Sequence, residues 1–167
     1  DESDGKTIAL EDPAFLGAGG YTDTVTVALS QAPTANVTVS LYGEDELAFR
    51  IDGGPLTTLL DLTFTTTNWQ TTRTVEVIGV NDAKVEGFHK AVLTLTASGT
   101  SAYNGISERL IVDIGDNDSP GVMILESNNS TDVIEGGHFE ASKPLVDDYL
   151  VMLTKAPSSG TMVTVNI

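Results

Sequence analysis

Thr24-Val25-Thr26-Val27-Ala28-Leu29, followed after Ser30-Gln31-Ala32-Pro33 by Val37-Thr38-Val39-Ser40-Leu41, is the stretch whose reading decides the fold class. Val25, Val27 and Leu29 share one face and Thr24, Thr26 and Ala28 the other; Val37, Val39 and Leu41 alternate with Thr38 and Ser40 in the same way. A period of two with β-branched residues marks half-buried strands. Working outward, Thr7-Ile8-Ala9-Leu10, Leu60-Leu62-Phe64, Val75-Val77 with Ile78 and Val80, Val92-Leu93-Leu95 and Leu110-Ile111-Val112-Ile114 complete a set of seven strands, each bounded by turn residues. No window carries a helical stripe. The expectation is an all-β chain: an immunoglobulin-like antiparallel β-sandwich of about seven strands over residues 1–118, without the Cys-Trp-Cys signature of antibody domains.

The same stretch recurs. Leu29-Ser30-Gln31-Ala32-Pro33 is echoed by Leu153-Thr154-Lys155-Ala156-Pro157, and Val37-Thr38-Val39-Ser40-Leu41 by Val163-Thr164-Val165-Asn166-Ile167. Gly19-Gly20 matches Gly136-Gly137, and Ser3 to Ile8 lie on Ser119 to Ile124. Matches in one order predict a tandem repeat with a period of roughly 115–125 residues, the size of one sandwich. Residues 119–167 then read as the first strands of a truncated second copy, at 122–125, 148–154 and 162–167. The alternative is an extension that packs on the first domain.

Composition narrows the function. The 167 residues carry 8 Lys+Arg against 24 Asp+Glu, a net charge of −16, and no cysteine. Thiolate metal sites, disulfide frameworks and cysteine nucleophiles are excluded. Nucleic acid is a poor partner for such a surface. Hydrophobic residues at 40% are enough for a core, and no apolar run approaches the roughly 18 residues of a membrane helix, so membrane insertion is not expected. His89 and His138 have no motif spacing to a serine or carboxylate, and the chain has no nucleophile elbow or phosphate loop, so no enzyme is expected.

The acidic residues are not spread evenly. In a succession of alternating strands, the segments after Leu10, after Leu41, after Val80 and after Ile114 emerge at one pole. They carry Glu11 and Asp12, then Glu44, Asp45 and Glu46, then Asp82 and Glu86, then Asp116 and Asp118, with Asp113 just before. The connections at the other pole are poor in carboxylates. Two carboxylates about 4 Å apart repel by about 4 kcal/mol at an effective dielectric near 20. Gathering several would weaken the fold unless a cation neutralises them. Oxygen-only ligands on irregular loops suit calcium better than magnesium or zinc. The competing reading is that these residues are turn-formers and solvated surface charge.

One run of motifs points the same way: Leu62-Thr63-Phe64-Thr65, Asn68-Trp69, Thr74-Val75-Glu76-Val77, Val80-Asn81-Asp82, Val85-Glu86-Gly87, Tyr103-Asn104-Gly105 and Ile114-Gly115-Asp116-Asn117-Asp118. Together they resemble the Calx-β repeat of sodium/calcium exchangers, integrin β4 and large microbial surface proteins. The resemblance implies a seven-stranded sandwich with a calcium site in the loops at one end. It implies ligands at Asp82, Glu86, Asp116 and Asp118, with Asp45 or Glu44 in the next loop. Where the second copy has Glu135 before its glycine pair, the first has Ala18, so Glu11 or Asp12 would have to substitute. Trp69 and Tyr103 are read as packing residues.

The expectation is therefore a non-enzymatic, calcium-binding module from a tandem-repeat extracellular or cell-surface protein. Its partners would be neighbouring repeats and cell-surface or matrix ligands. The alternatives are a calcium sensor attached to a transporter and a carbohydrate-binding adhesive module.

Overall fold

The computed structural model describes residues 6–11, 22–126, 131 and 147–166. These form ten strands: β1 (Thr7–Leu10), β2 (Asp23–Val27), β3 (Val37–Tyr42), β4 (Leu47–Arg50), β5 (Leu59–Phe64), β6 (Arg73–Gly79), β7 (Phe88–Ser98), β8 (Ser107–Gly115), β9 (Val122–Glu126) and β10 (Tyr149–Leu153). No helix long and apolar enough to cross a membrane occurs among them. The fold is all-β.

Two sheets face each other. One is five-stranded in the order β1-β8-β7-β3-β5, the other three-stranded in the order β2-β6-β4. Their facing side chains make one core: Val25, Leu47, Phe49, Val75 and Val77 from the smaller sheet meet Val37, Leu41, Phe64, Leu93, Val112 and Ile114 from the larger, all buried. The alternation read from the sequence is the cause, with β2 and β3 burying every second residue. Tyr103 is buried, and its hydroxyl donates to the Gln31 carbonyl at 2.6 Å. Trp69 is half-buried, its carbonyl accepting from the Leu29 N–H.

Three features depart from the expected strand set. The short strand β4 lies inside the segment taken as a connection, because Leu47-Ala48-Phe49 is buried throughout and shows no alternation. β1 pairs with β8 in parallel, so the larger sheet is mixed. Residues 162–166 form no strand and Met162 is 89% exposed, because no neighbouring strand accepts their backbone groups among the described residues.

β9 and β10 pair antiparallel in a sheet of their own. In sequence they answer to β1 and β2, yet β1 and β2 lie in different sheets. The burial of all four β1 residues follows from this pair. Ala9 enters the main core, while Ile8 and Leu10 on the opposite face are covered by Met123, Leu125 and Met152.

Strand directions set the pole. β1 and β8 run together, and Glu11, just past β1, bridges in parallel to Gly79 at the end of β6. β7 and β3 alternate from β8, and β2 and β4 run against β6. The ends of β1, β3, β6 and β8 therefore meet the starts of β2, β4 and β7. Gly79 permits the closest approach: a Cβ there would lie 3.0 Å from the Glu11 nitrogen and 3.1 Å from the Leu10 carbonyl carbon. Gly79→Ala should destabilise the protein by about 1–3 kcal/mol through overpacking, measured by urea unfolding, and should move the Glu11 amide resonance, whereas Gly53→Ala, with no atom within 4 Å of its Cβ position, should leave that resonance in place.

Candidate metal centre

Strand parity, continued past the ends of the ladders, assembles the site. Thr7 and Ala9 point inward on β1, so Glu11 is next in that row; Val112 and Ile114 point inward on β8, so Asp116 follows; Leu93 and Ala91 point inward on β7, so His89 precedes them. Because Ala9 pairs with Ile114 and His89 with Ile114, three adjacent strands place their inward polar residues side by side at the pole. Two connections close over them. The turn 43–46 is held by the Glu46 N–H donating to the Gly43 carbonyl, with Glu44 and Asp45 both at positive φ, and the Val80 N–H donates to the Glu46 carbonyl. The loop 80–87 contributes Asp82 and Glu86.

Three groups of side chains have their ligand atoms within 4.8 Å of one another: Glu11 with Asp82 and Glu86, Glu11 with Asp116 and Asp118, and Glu46 with Glu86 and His89. The described residues thus hold acidic clusters able to take a metal ion. Of the residues singled out from the sequence, Asp82, Glu86, Asp116, Asp118 and Glu11 come together. Asp45 does not; it is exposed at the tip of its turn, and Glu46 is the residue of that turn drawn inward. Asp12 lies outside the described residues, as do Ala18 and Glu135. Asp113 faces outward and is paired with Lys6 at 2.7 Å and with Lys90, which hold its carboxyl low despite its burial.

The carboxylates at the pole differ in their surroundings. Asp116 is buried, which by itself would raise its pKa, but backbone N–H groups outweigh this and hold it below the usual range. Its Oδ2 accepts from Glu86 at 2.8 Å and Gly87 at 2.6 Å, and its Oδ1 accepts from the Asp118 N–H. Most of its acceptor capacity is committed to tying the loop 80–87 to the end of β8. Gly87, at φ 67°, makes the turn that points its N–H at Asp116.

Asp82 is held below its ordinary value first by the Lys84 N–H at 2.6 Å and then by the Lys84 ammonium, 3.2 Å from Oδ2. That ammonium also lies 3.8 Å from Glu86. His89 loses some basicity to burial, but the Gly87 carbonyl and the charges of Glu86 and Glu46 more than restore it, and its pKa is raised.

Glu11 is the exception. It is 3% exposed, and its Oε2 is buried with no hydrogen-bond partner. Burial, reinforced by the charges of Asp116, Asp82 and Asp118 and opposed by a hydrogen bond from the Asn117 backbone, pushes its carboxyl from 4.5 up to about 7. Asp118 Oδ2 is likewise buried without a partner. The Asn117 side-chain nitrogen donates to the Glu11 carbonyl at 3.2 Å. A buried acceptor with nothing to accept costs about 1–3 kcal/mol, more when charged. A proton, a water or a cation would satisfy either oxygen.

From the sequence Glu46 is counted only among the acidic residues of the pole and His89 only as a candidate catalytic base, and neither is offered as a ligand. The signal for His89 was its inward parity on β7, and the signal for Glu46 was its place next to the buried, unrecognised β4.

The chain matches no protein-family model and no curated protein.

The raised Glu11 pKa has a definite sign. Between 4.5 and about 7 the folded protein binds more protons than the unfolded chain, so stability must fall as pH rises through that window. The lowered Asp82, Asp113 and Asp116 act only below it, because their stabilisation is lost as pH falls toward their folded values, while the raised His89 adds a fall of the same sign above its ordinary 6.5. In chelator, thermal melts should show the melting temperature falling from about pH 5 to pH 7.5. Glu11→Gln, which keeps an acceptor and removes a charge, should flatten this slope and raise stability at neutral pH. Asp116→Asn should instead lower it, by about 1–3 kcal/mol, through unsatisfied N–H groups.

Proposed function

We propose that this chain is a non-enzymatic, calcium-binding sandwich module of the Calx-β kind, drawn from a tandem array on an extracellular or cell-surface protein. The observation that carries the reading is Glu11: a buried carboxylate with an unpartnered oxygen, facing Asp82, Glu86, Asp116 and Asp118. A hard divalent cation suits this all-oxygen set. Calcium takes six to eight oxygens in irregular geometry and accepts ligands from several loops, whereas magnesium demands a tight octahedron. The carboxylates already lie within 4.8 Å of one another in two groups that share Glu11.

Calcium acts mechanically in this reading. Glu11 directly follows β1, Asp82 and Glu86 lie in the loop after β6, and Asp116 and Asp118 in the segment that runs on to β9. An ion among them removes the repulsion between three separate pieces of chain. It also fixes the direction in which Ser119-Pro120-Gly121 leaves the sandwich. The ordered sequence motifs supply the family resemblance, and the echo of residues 3–41 in 119–167 supplies the tandem array.

Calorimetric calcium titration of the chelator-treated protein, with thermal melts beside it, tests this directly. Saturable binding is expected, with a stabilisation of about 2.7 kcal/mol at 100-fold over Kd, and Glu11→Gln should abolish most of it. An affinity of about 10⁻⁴–10⁻³ M fits an extracellular brace, and about 10⁻⁷–10⁻⁵ M a sensor. No heat and no shift at about 10 mM calcium, above the range of the weakest modules, would remove calcium from the reading.

A further inference from the structure

We propose that His89, Glu46 and Glu86 form a site for a borderline divalent transition metal of the zinc class at the edge of the all-oxygen cluster, with which it shares Glu86. Imidazole nitrogen is a poor calcium ligand and a favoured one for zinc, cobalt and nickel. The set of one nitrogen and two carboxylates differs in kind from the Glu11 groups, and the inference does not rest on calcium occupying those groups.

Orientation of the imidazole is the first support. His89 Nδ1 lies 3.0 Å from the Gly87 carbonyl, which can only accept, so Nδ1 carries the hydrogen. A ligating histidine is commonly fixed in this way, its second nitrogen donating to a backbone carbonyl and the first left with its lone pair free. The free nitrogen, Nε2, is buried and has no hydrogen-bond partner. It points at carboxylate oxygens instead, with Glu46 Oε2 at 3.6 Å and Glu86 Oε2 at 4.0 Å. A lone pair facing two carboxylates is repulsive unless a cation or a proton lies between them.

Geometry is the second. A tetrahedral ion with ligands about 2.0–2.2 Å away sets neighbouring ligand atoms about 3.3–3.5 Å apart. The two Nε2–carboxylate separations, 3.6 and 4.0 Å, exceed this by about 0.1–0.7 Å, and all three ligand atoms lie within 4.8 Å of one another, a gap that rotations of the glutamate side chains can close. The supporting backbone is fixed for all three residues. His89 sits in the β7–β8 ladder opposite Ile114, the Glu46 amide and carbonyl are both bonded, and the Glu86 N–H donates to Asp116. The Glu86 side chain is exposed enough to leave a fourth position open to water.

Zinc titration of the chelator-treated protein, read by calorimetry and by nitrogen NMR of the two histidine rings, tests the site. One zinc ion per chain is expected to bind with a large shift of the His89 Nε2 signal and none at His138. His89→Gln should weaken binding by more than the ~10–100-fold typical of losing an outer-shell partner. Glu46→Gln leaves its turn's backbone bonds intact and serves as a second variant; it should also weaken zinc binding. The proposal is overturned if zinc does not bind at millimolar concentration, if the His89 signal stays in place while His138 moves, or if both variants bind zinc as the native protein does. In those cases a proton, not a metal, lies between His89 and the glutamates.

Discussion

A strand that keeps its inward parity one residue beyond its ladder puts a side chain at the mouth of the core. At this pole β1 and β8 both do so with a carboxylate. Glu11 and Asp116 are set next to each other by the parallel register of two strands, which in sheets lie about 4.8 Å apart, and both are buried. Everything else at the pole answers to that adjacency. Asp116 is satisfied by backbone N–H groups and keeps its charge. Glu11 is left with an oxygen that has no partner, and its proton affinity rises accordingly. The ionised side chains that the surrounding loops add are acidic, apart from Lys84 at the rim.

The fold maintains this arrangement from both sides. Gly79 lets β6 approach the backbone of Glu11, and Gly115 lies against Leu10, where a Cβ would meet the leucine side chain at 2.8 Å. Behind β1, Met123 and Leu125 cover Ile8 and Leu10, so the strand that carries Glu11 is clamped between two hydrophobic clusters. A strand of four residues would hold poorly by its ladder alone. Buried apolar side chains on both of its faces, each contributing about 1.5–3 kcal/mol when fully removed from water, keep Glu11 from swinging out into solvent. The next segment of chain, β9, thus packs directly against the strand that leads into the acidic pole.

Much of this was legible in the residues. Seven of the strands follow from alternation, and the gathering of carboxylates at one pole follows from strand direction. Asp82, Glu86, Asp116, Asp118 and Glu11 all lie there. What escaped has physical reasons. β4 carries no alternation, being buried on both faces from Leu47 to Phe49, so the turn before it reads as part of a long loop and the ligand there as Asp45 or Glu44, not Glu46. In the folded chain the αL conformations of Glu44 and Asp45 throw those side chains outward and turn Glu46 in. The pairing of β9 with β10 depends on contacts with Ile8 and Leu10 more than a hundred positions away, which no local pattern encodes. His89 was passed over because it was weighed as a catalytic base, when its parity on β7 was the informative feature.

The ionisation of one side chain tests the proposed cation site most directly. The Glu11 carboxyl carbon, followed by NMR against pH, should titrate near 7 in chelator and move to well below 4.5 when calcium is added, because an ion on Oε2 replaces the proton. A midpoint at the ordinary glutamate value in chelator, unchanged by calcium, would contradict a buried carboxylate in need of a cation. The acidic pole would then be surface charge that the fold tolerates.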